Sequence, residues 1–403
     1  MSNLNRHFFR GHARVHGFSL VELMVSIVIG LLAVLFATRI MTDSERSKNT
    51  ALGSSDSMQN GMLAMFSISG DTEQAGFGLN DTLLIGCNTV FSDKSGFELL
   101  PSATNAGVFP LVPAQIEAGV NGASDRLTLY AGSAPGGTPI LRLTANYIGG
   151  TDIVVDRLPF GFYRDDVIVV APEPVKAGQK APVGYDKRCA VAQVSQAPGT
   201  AQKITIGGDS SFRFNRGELG VSYFADLTRV FNLGPASKLN FHTWSVDGGN
   251  LRLRATNLGG AEKESKLVAD NIVAFKAQYG FDMRSESEFD AAPDAQVQRW
   301  SSTMLDADGV DGVASPGDFG RIVALRLALV ARSKHPERPA ADGSCSATTK
   351  AEPVFSTRQP SNVEPVPMSV NLAVPGDTVD WKCYRYRVFE TIVPLRNNEW
   401  RSS

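Results

Sequence analysis

The chain has 403 residues, 39 Lys and Arg against 41 Asp and Glu, and a formal net charge of −2 at pH 7. That balance excludes a general electrostatic attraction for nucleic acid, and the length is enough for a large core or two lobes. Cys87, Cys189, Cys345 and Cys383 contain no CxxC pair and lie too far apart for the common zinc modules.

Residues 1–17 hold Arg6, Arg10, Arg14 and three histidines but no acid, as expected of a leader kept on the cytoplasmic side. Residues 17–41 read GFSLVELMVSIVIGLLAVLFATRIM. A helix over 18–37 rises about 30 Å, the thickness of a bilayer's hydrocarbon core, and the transmembrane part is placed at about 18–41. Glu22 is the one carboxylate in this run. A charge at mid-membrane costs roughly 2.5 to 3.5 kcal/mol, so Glu22 needs either a partner or a position near the interface. A secretory signal is cut after its apolar stretch, whereas Gly17-Phe18 precedes this one, and cleavage there leaves the anchor attached.

The GFSLVE pattern followed by an apolar stretch resembles the class III signal of type IV prepilins. The resemblance implies that a prepilin peptidase cuts between Gly17 and Phe18 and N-methylates Phe18. It further implies that Glu22 meets the N-terminal amine of a neighbouring subunit and sets the register of assembly, two charges being buried as a pair. The helix has no proline, and Arg39 stands where many major pilins carry one, which disfavours a major subunit.

From residue 42 to about 73 the sequence turns polar, while Ala51, Ser55, Met58, Met62, Met65, Phe66 and Ser69 recur at helical spacing. This predicts a helix continuing beyond the membrane with that stripe against a sheet. After Gly76, short β-type runs alternate with Gly, Pro, Asn and Asp. Strands are predicted at 126–130, 152–156, 166–170, 201–206, 241–246, 250–254, 272–282, 322–332 and 384–395, with a hairpin at Asp247-Gly248-Gly249. In 322–332, Val323, Leu325, Leu327 and Leu329 alternate with the other residues, which predicts one buried face. Residues 334–378 are rich in Pro, Ser, Thr and Ala and read as a long surface loop. The cysteines allow three pairings; the loop between Cys345 and Cys383 favours joining these two, which leaves Cys87 with Cys189.

Several later segments are similar to the PilW group of minor pilins: Asp71-Thr-Glu73-Gln-Ala-Gly76-Phe77, Gln278-Tyr279-Gly280-Phe281-Asp282, Asp318-Phe319-Gly320-Arg321-Ile322-Val323, and the ending from Tyr384 to Asn397. The resemblance implies an α+β fold, a long N-terminal helix packed on an enlarged β-rich periplasmic head. The expected divisions are a leader at 1–17, the helix at 18–75 and a head at 76–403, with a lobe boundary near 210–240. It implies a minor pilin that primes or caps type IV pilus assembly in a tip complex, single-pass in the inner membrane before assembly and at the pilus tip afterwards. Expected partners are other minor pilins, the major pilin, the prepilin peptidase and a PilY-type tip adhesin. The alternative is a J-type pseudopilin of a type II secretion system.

No catalytic constellation is present: beyond the leader only His242 and His335 remain, and there is no Walker loop, GxSxG elbow or HExxH. An enzyme is therefore not expected, and no cofactor, with one exception to weigh. Asp306, Asp308 and Asp311 concentrate oxygen ligands as a calcium loop does, although Val310 breaks the EF-hand spacing and a solvated acidic turn is the default reading. Arg385, Arg387, Arg396 and Arg401, with Tyr384, Tyr386 and Trp400, read as the polar face of an edge strand rather than a nucleic-acid site.

Overall fold

A computed structural model describes residues 19–134, 140–176, 178–197, 199–207, 211–291, 294–340 and 342–398. The chain divides into two units, Met1–Gly53 and Ser54–Ser403. Gly17 and Phe18 lie outside the described residues, as do Trp400 and Arg401.

Helix α1 runs over Leu20–Gln74. It stops where Gly76 takes φ +80°, a left-handed conformation that suits glycine just past a helix end. In chain order the strands are β1 (Cys87–Val90), β2 (Pro110–Leu111), β3 (Ala114–Glu117), β4 (Arg126–Ala131), β5 (Ile140–Arg142), β6 (Asp152–Val154), β7 (Asp166–Pro172), β8 (Cys189–Gln193), β9 (Lys203–Thr205), β10 (Thr228–Pro235), β11 (Asn240–Asp247), β12 (Asn250–Ala255), β13 (Lys266–Asp270), β14 (Ile272–Phe281), β15 (Arg299–Ser301), β16 (Ile322–Arg332) and β17 (Tyr386–Pro394). Two short helices, α2 (Glu286–Ala291) and α3 (Pro316–Gly320), flank β15.

These strands form sheets of order β2-β1-β8-β7-β10-β5, β13-β12-β11-β4-β3 and β15-β14-β16-β17, with β6 and β9 as a separate pair. The chain leaves the second sheet after β4 and returns to it at β11, so the excursion between them supplies β5 to β10. That excursion has a core of its own, including Leu143, Ile153, Ile168, Ile204 and Tyr223. The main core joins Ala64 and Ile68 of α1 to Leu127, Phe241, Phe275, Leu325 and Leu327 of the sheets. The β11–β12 hairpin turns through Gly248 and Gly249, both at positive φ, which matches strand twist in a two-residue turn.

Strand β16 departs from the expected single buried face. Val323, Leu325, Leu327 and Leu329 are buried, and so are Ala324, Arg326, Ala328 and Val330. The reason is the segment expected as a surface loop: Val354, Phe355, Val370 and Leu372 fold back to make a second core layer with Ala328 and Val330. Arg326, fully buried in that layer, donates to the Thr357 carbonyl and pairs with Glu390, its guanidinium lying 4.9 Å over Phe355. Cys345 is joined to Cys383, and Cys87 to Cys189.

The buried face of α1 is also rotated from the expected stripe. Met58, Met62 and Phe66 are 44%, 55% and 78% exposed, while Ser57, Ala64, Ile68 and Thr72 are buried. Small residues win this face because they let the helix backbone come close to the sheet. At Gly61 a Cβ would stand 2.0 Å from the Phe389 ring.

Candidate functional site: an apolar helix and a clamped stem

In the first unit, Leu20–Glu45 has a mean hydropathy of 2.7 over its most apolar stretch, and none of that stretch is buried. Its 26 residues would rise about 39 Å, enough to cross a bilayer's hydrocarbon core with some tilt. Polar side chains within it turn back onto the helix: Ser26 Oγ donates to the Glu22 carbonyl at 2.6 Å, and Thr38 Oγ1 to that of Val34 at 3.0 Å. Such bonds satisfy hydroxyls where lipid offers no partner. Glu22 lies in the first turn of the helix.

In the second unit the stem, residues 54–74, is fastened to the sheets by a polar clasp. Asp71 Oδ2 accepts from Trp244 Nε1 at 2.9 Å and lies 2.7 Å from His242 Nδ1. The other ring nitrogen, Nε2, lies 2.7 Å from Asn257 Oδ1. Asn257 Nδ2 in turn donates to Asn240 Oδ1 at 2.6 Å, which fixes the Asn257 amide with its oxygen toward the ring. Both imidazole nitrogens therefore face acceptors, the arrangement of a doubly protonated ring. Burial opposes that charge, but the Asp71 carboxylate and the Asn257 oxygen outweigh it and the His242 pKa is raised above its ordinary value. Near the helix end, Asn397 Nδ2 reaches the carbonyls of Gln74 and Ala75 at 3.3 and 3.1 Å, groups that a helix terminus leaves without intrahelical partners. Asn60 Nδ2 donates to Asp270 Oδ1 at 2.5 Å.

Sequence reasoning did not connect His242 or Trp244 to Asp71, 171 and 173 residues away. The available signal was strand alternation, which puts His242 and Trp244 on one face of β11. A second buried pair was missed entirely: Lys276 Nζ donates to Asp125 Oδ1 at 2.8 Å, with both side chains almost wholly inaccessible.

Among the calcium candidates, Asp306 and Asp308 come together with Asp318, and Asp311 is not in that group. Asp318 is already committed: Oδ1 accepts the amides of Ala307 and Asp308, and Oδ2 accepts that of Ser315 in a capping box. These bonds fasten the loop through the protein's own N–H groups. The basic residues near the C-terminus are dispersed, Arg385 pairing with Glu337 and Arg387 Nη1 reaching Met58 Sδ at 3.7 Å. Tyr384 is buried beneath the Arg332 guanidinium, 4.4 Å from its ring centre.

An exposed apolar N-terminal helix followed by a β-rich head on a clamped helical stem defines an α+β pilin-like protein with a prepilin-type start. Residues 12–38 match the prokaryotic N-terminal methylation motif, the signature of that class. Within it, residues 245–397 match PilW, the type IV pilus-assembly protein W family. No curated protein and no solved structure matches the chain significantly. Together the two family matches support a type IV pilus-related minor pilin, and the prepilin-type signal with the apolar helix points to membrane anchoring.

Proposed function

We propose that this protein is a low-abundance subunit that primes or caps a type IV pilus as part of a tip complex. The observation that carries the reading is the order of its parts: a methylation motif, one apolar helix in which Glu22 is the one carboxylate between residues 17 and 41, and the PilW segment in a large head. In this reading a prepilin peptidase cuts Gly17–Phe18 and methylates Phe18. The helix then moves from lipid into the filament, and Glu22 pairs with the new amine of a neighbour so that neither charge is buried alone. A head as large as residues 76–403 is too bulky to repeat along a shaft, which favours the end of the filament, beside other minor pilins and a tip adhesin. Paired cysteines suit the oxidising periplasm and cell surface.

The test is mass spectrometry of sheared pili and of culture supernatants from parent and deletion strains. Low-stoichiometry recovery in pili, with piliation lost on deletion, is the expected result. Normal pili with exoproteins missing from the supernatant would reassign the chain to a secretion pseudopilin.

A further inference from the structure

A cavity of about 340 Å³ opens over the β13-β12-β11-β4-β3 sheet, lined by Arg126, Thr243, Ser245, Arg254, Lys263 and Ser265, with 98–101 as a rim. Thr243 and Ser245 alternate along β11 with His242 and Trp244, whose side chains meet Asp71 of the stem. The cavity therefore lies on the sheet face opposite the helix. Arg254 stands directly across from Thr243 in the β11–β12 ladder.

The cations here are unevenly matched. Arg126 pairs with Glu117 at 2.9 Å. The Arg254 guanidinium lies 4.8 Å over the Phe97 ring and donates through Nη2 to the Glu98 carbonyl at 2.7 Å, yet its buried Nε has no hydrogen-bond partner. Lys263 makes no ion pair among the described residues, and Glu98 is the one carboxylate among the lining residues. Burial lowers the Arg254 pKa, Glu98 opposes the shift, and Arg126 adds to it. Ser265 Oγ already accepts from Arg252 Nε at 3.0 Å, so its own proton is left to donate.

We propose that this cavity binds the oxyanion group of a small organic ligand of about monosaccharide size, a carboxylate or a phosphate monoester. Arg254 and Lys263 supply the charge, and the hydroxyls of Ser245 and Ser265 supply neutral donors, the combination that oxyanions select. The volume exceeds what a bare phosphate fills and falls in the range of small-molecule sites.

Isothermal titration of the full chain in a non-ionic detergent, with glucuronate, glucose 6-phosphate and glucose as probes, tests this. At least one of the two acids should bind and glucose should not, the tighter acid identifying the oxyanion. Lys263→Gln, at an exposed position where folding is not at risk, should weaken binding about 10-fold or more, as loss of a charge-assisted contact does. Arg254→Gln should weaken it further. Absence of heat with both acids, or affinity unchanged in Lys263→Gln, would overturn the assignment.

Discussion

His242 Nδ1 and Asp71 Oδ2 stand 2.7 Å apart, bringing a strand of the head and the last turns of α1 into one ion pair. Because the native His242 pKa is raised, the protonated ring binds its surroundings more tightly than in the unfolded chain. The stabilisation is present in full below the unfolded value of about 6.5 and is lost as pH rises through the raised native value. Melting of the detergent-solubilised chain between pH 5 and 9 should show this loss, and His242→Gln should abolish that part of the slope. Asp71→Asn should cost about 1.5–3 kcal/mol at pH 6, the worth of a hydrogen bond to a charged group. A pH profile identical in wild type and His242→Gln would show that the pair does not titrate in this way.

The buried Lys276–Asp125 pair responds differently. Asp125 also accepts the amides of Gly119 and Ala277 at 2.8 and 2.9 Å, so its carboxylate is held in place when the lysine is removed. Lys276→Met should destabilise by about 3–5 kcal/mol, since it leaves an uncompensated buried charge. Adding Asp125→Asn should recover part of that loss, read as a urea midpoint that moves back toward wild type.

At Gly61 two effects compete. Alanine would raise helix propensity by about 1 kcal/mol, but its Cβ would meet the Phe389 ring at 2.0 Å, and overpacking of this kind costs about 1–3 kcal/mol. Gly61→Ala should therefore lower the melting temperature, and the double variant with Phe389→Leu should regain it. Additive losses in the double variant would place the cost elsewhere.

The Cys345–Cys383 disulfide spans 38 residues, worth about 4 kcal/mol on the chain-entropy model. Since the enclosed segment supplies Phe355 and Leu372 to the second core layer, replacing both cysteines with serine should open residues 342–378 to limited proteolysis before the rest of the head. Cleavage elsewhere first would argue that this layer holds without the bridge.

Glu22→Val makes the first turn wholly apolar and removes a charge whose membrane cost, roughly 2.5–3.5 kcal/mol at the centre of a span, is smaller near its end. The variant should insert and be processed yet support few pili, as counted by electron microscopy. Normal pilus number would refute the register role of Glu22.

Much of this molecule could be read along the chain. Strands β4, β11, β12, β14 and β16 fall where alternation places them, and the Gly248-Gly249 turn is explicit, because these features depend on neighbours a few residues apart. The apolar run over 17–41 and its one carboxylate, Glu22, are equally local. The stem was harder, since Met58, Met62 and Phe66 occupy helical spacing and yet face outward, and nothing near them in sequence says that Gly61 and Ala64 meet the sheet.

Local order along the chain thus specified the anchor, the strands and the class of protein, because periodicity and charge act over one or two turns. Folding in three dimensions decided the rest: which face of α1 is buried, that 351–374 covers β16, and that Asp71 meets His242 and Asp125 meets Lys276. Each of those outcomes joins groups far apart in sequence, and burial of a polar group is tolerable only where such a distant partner arrives to satisfy it.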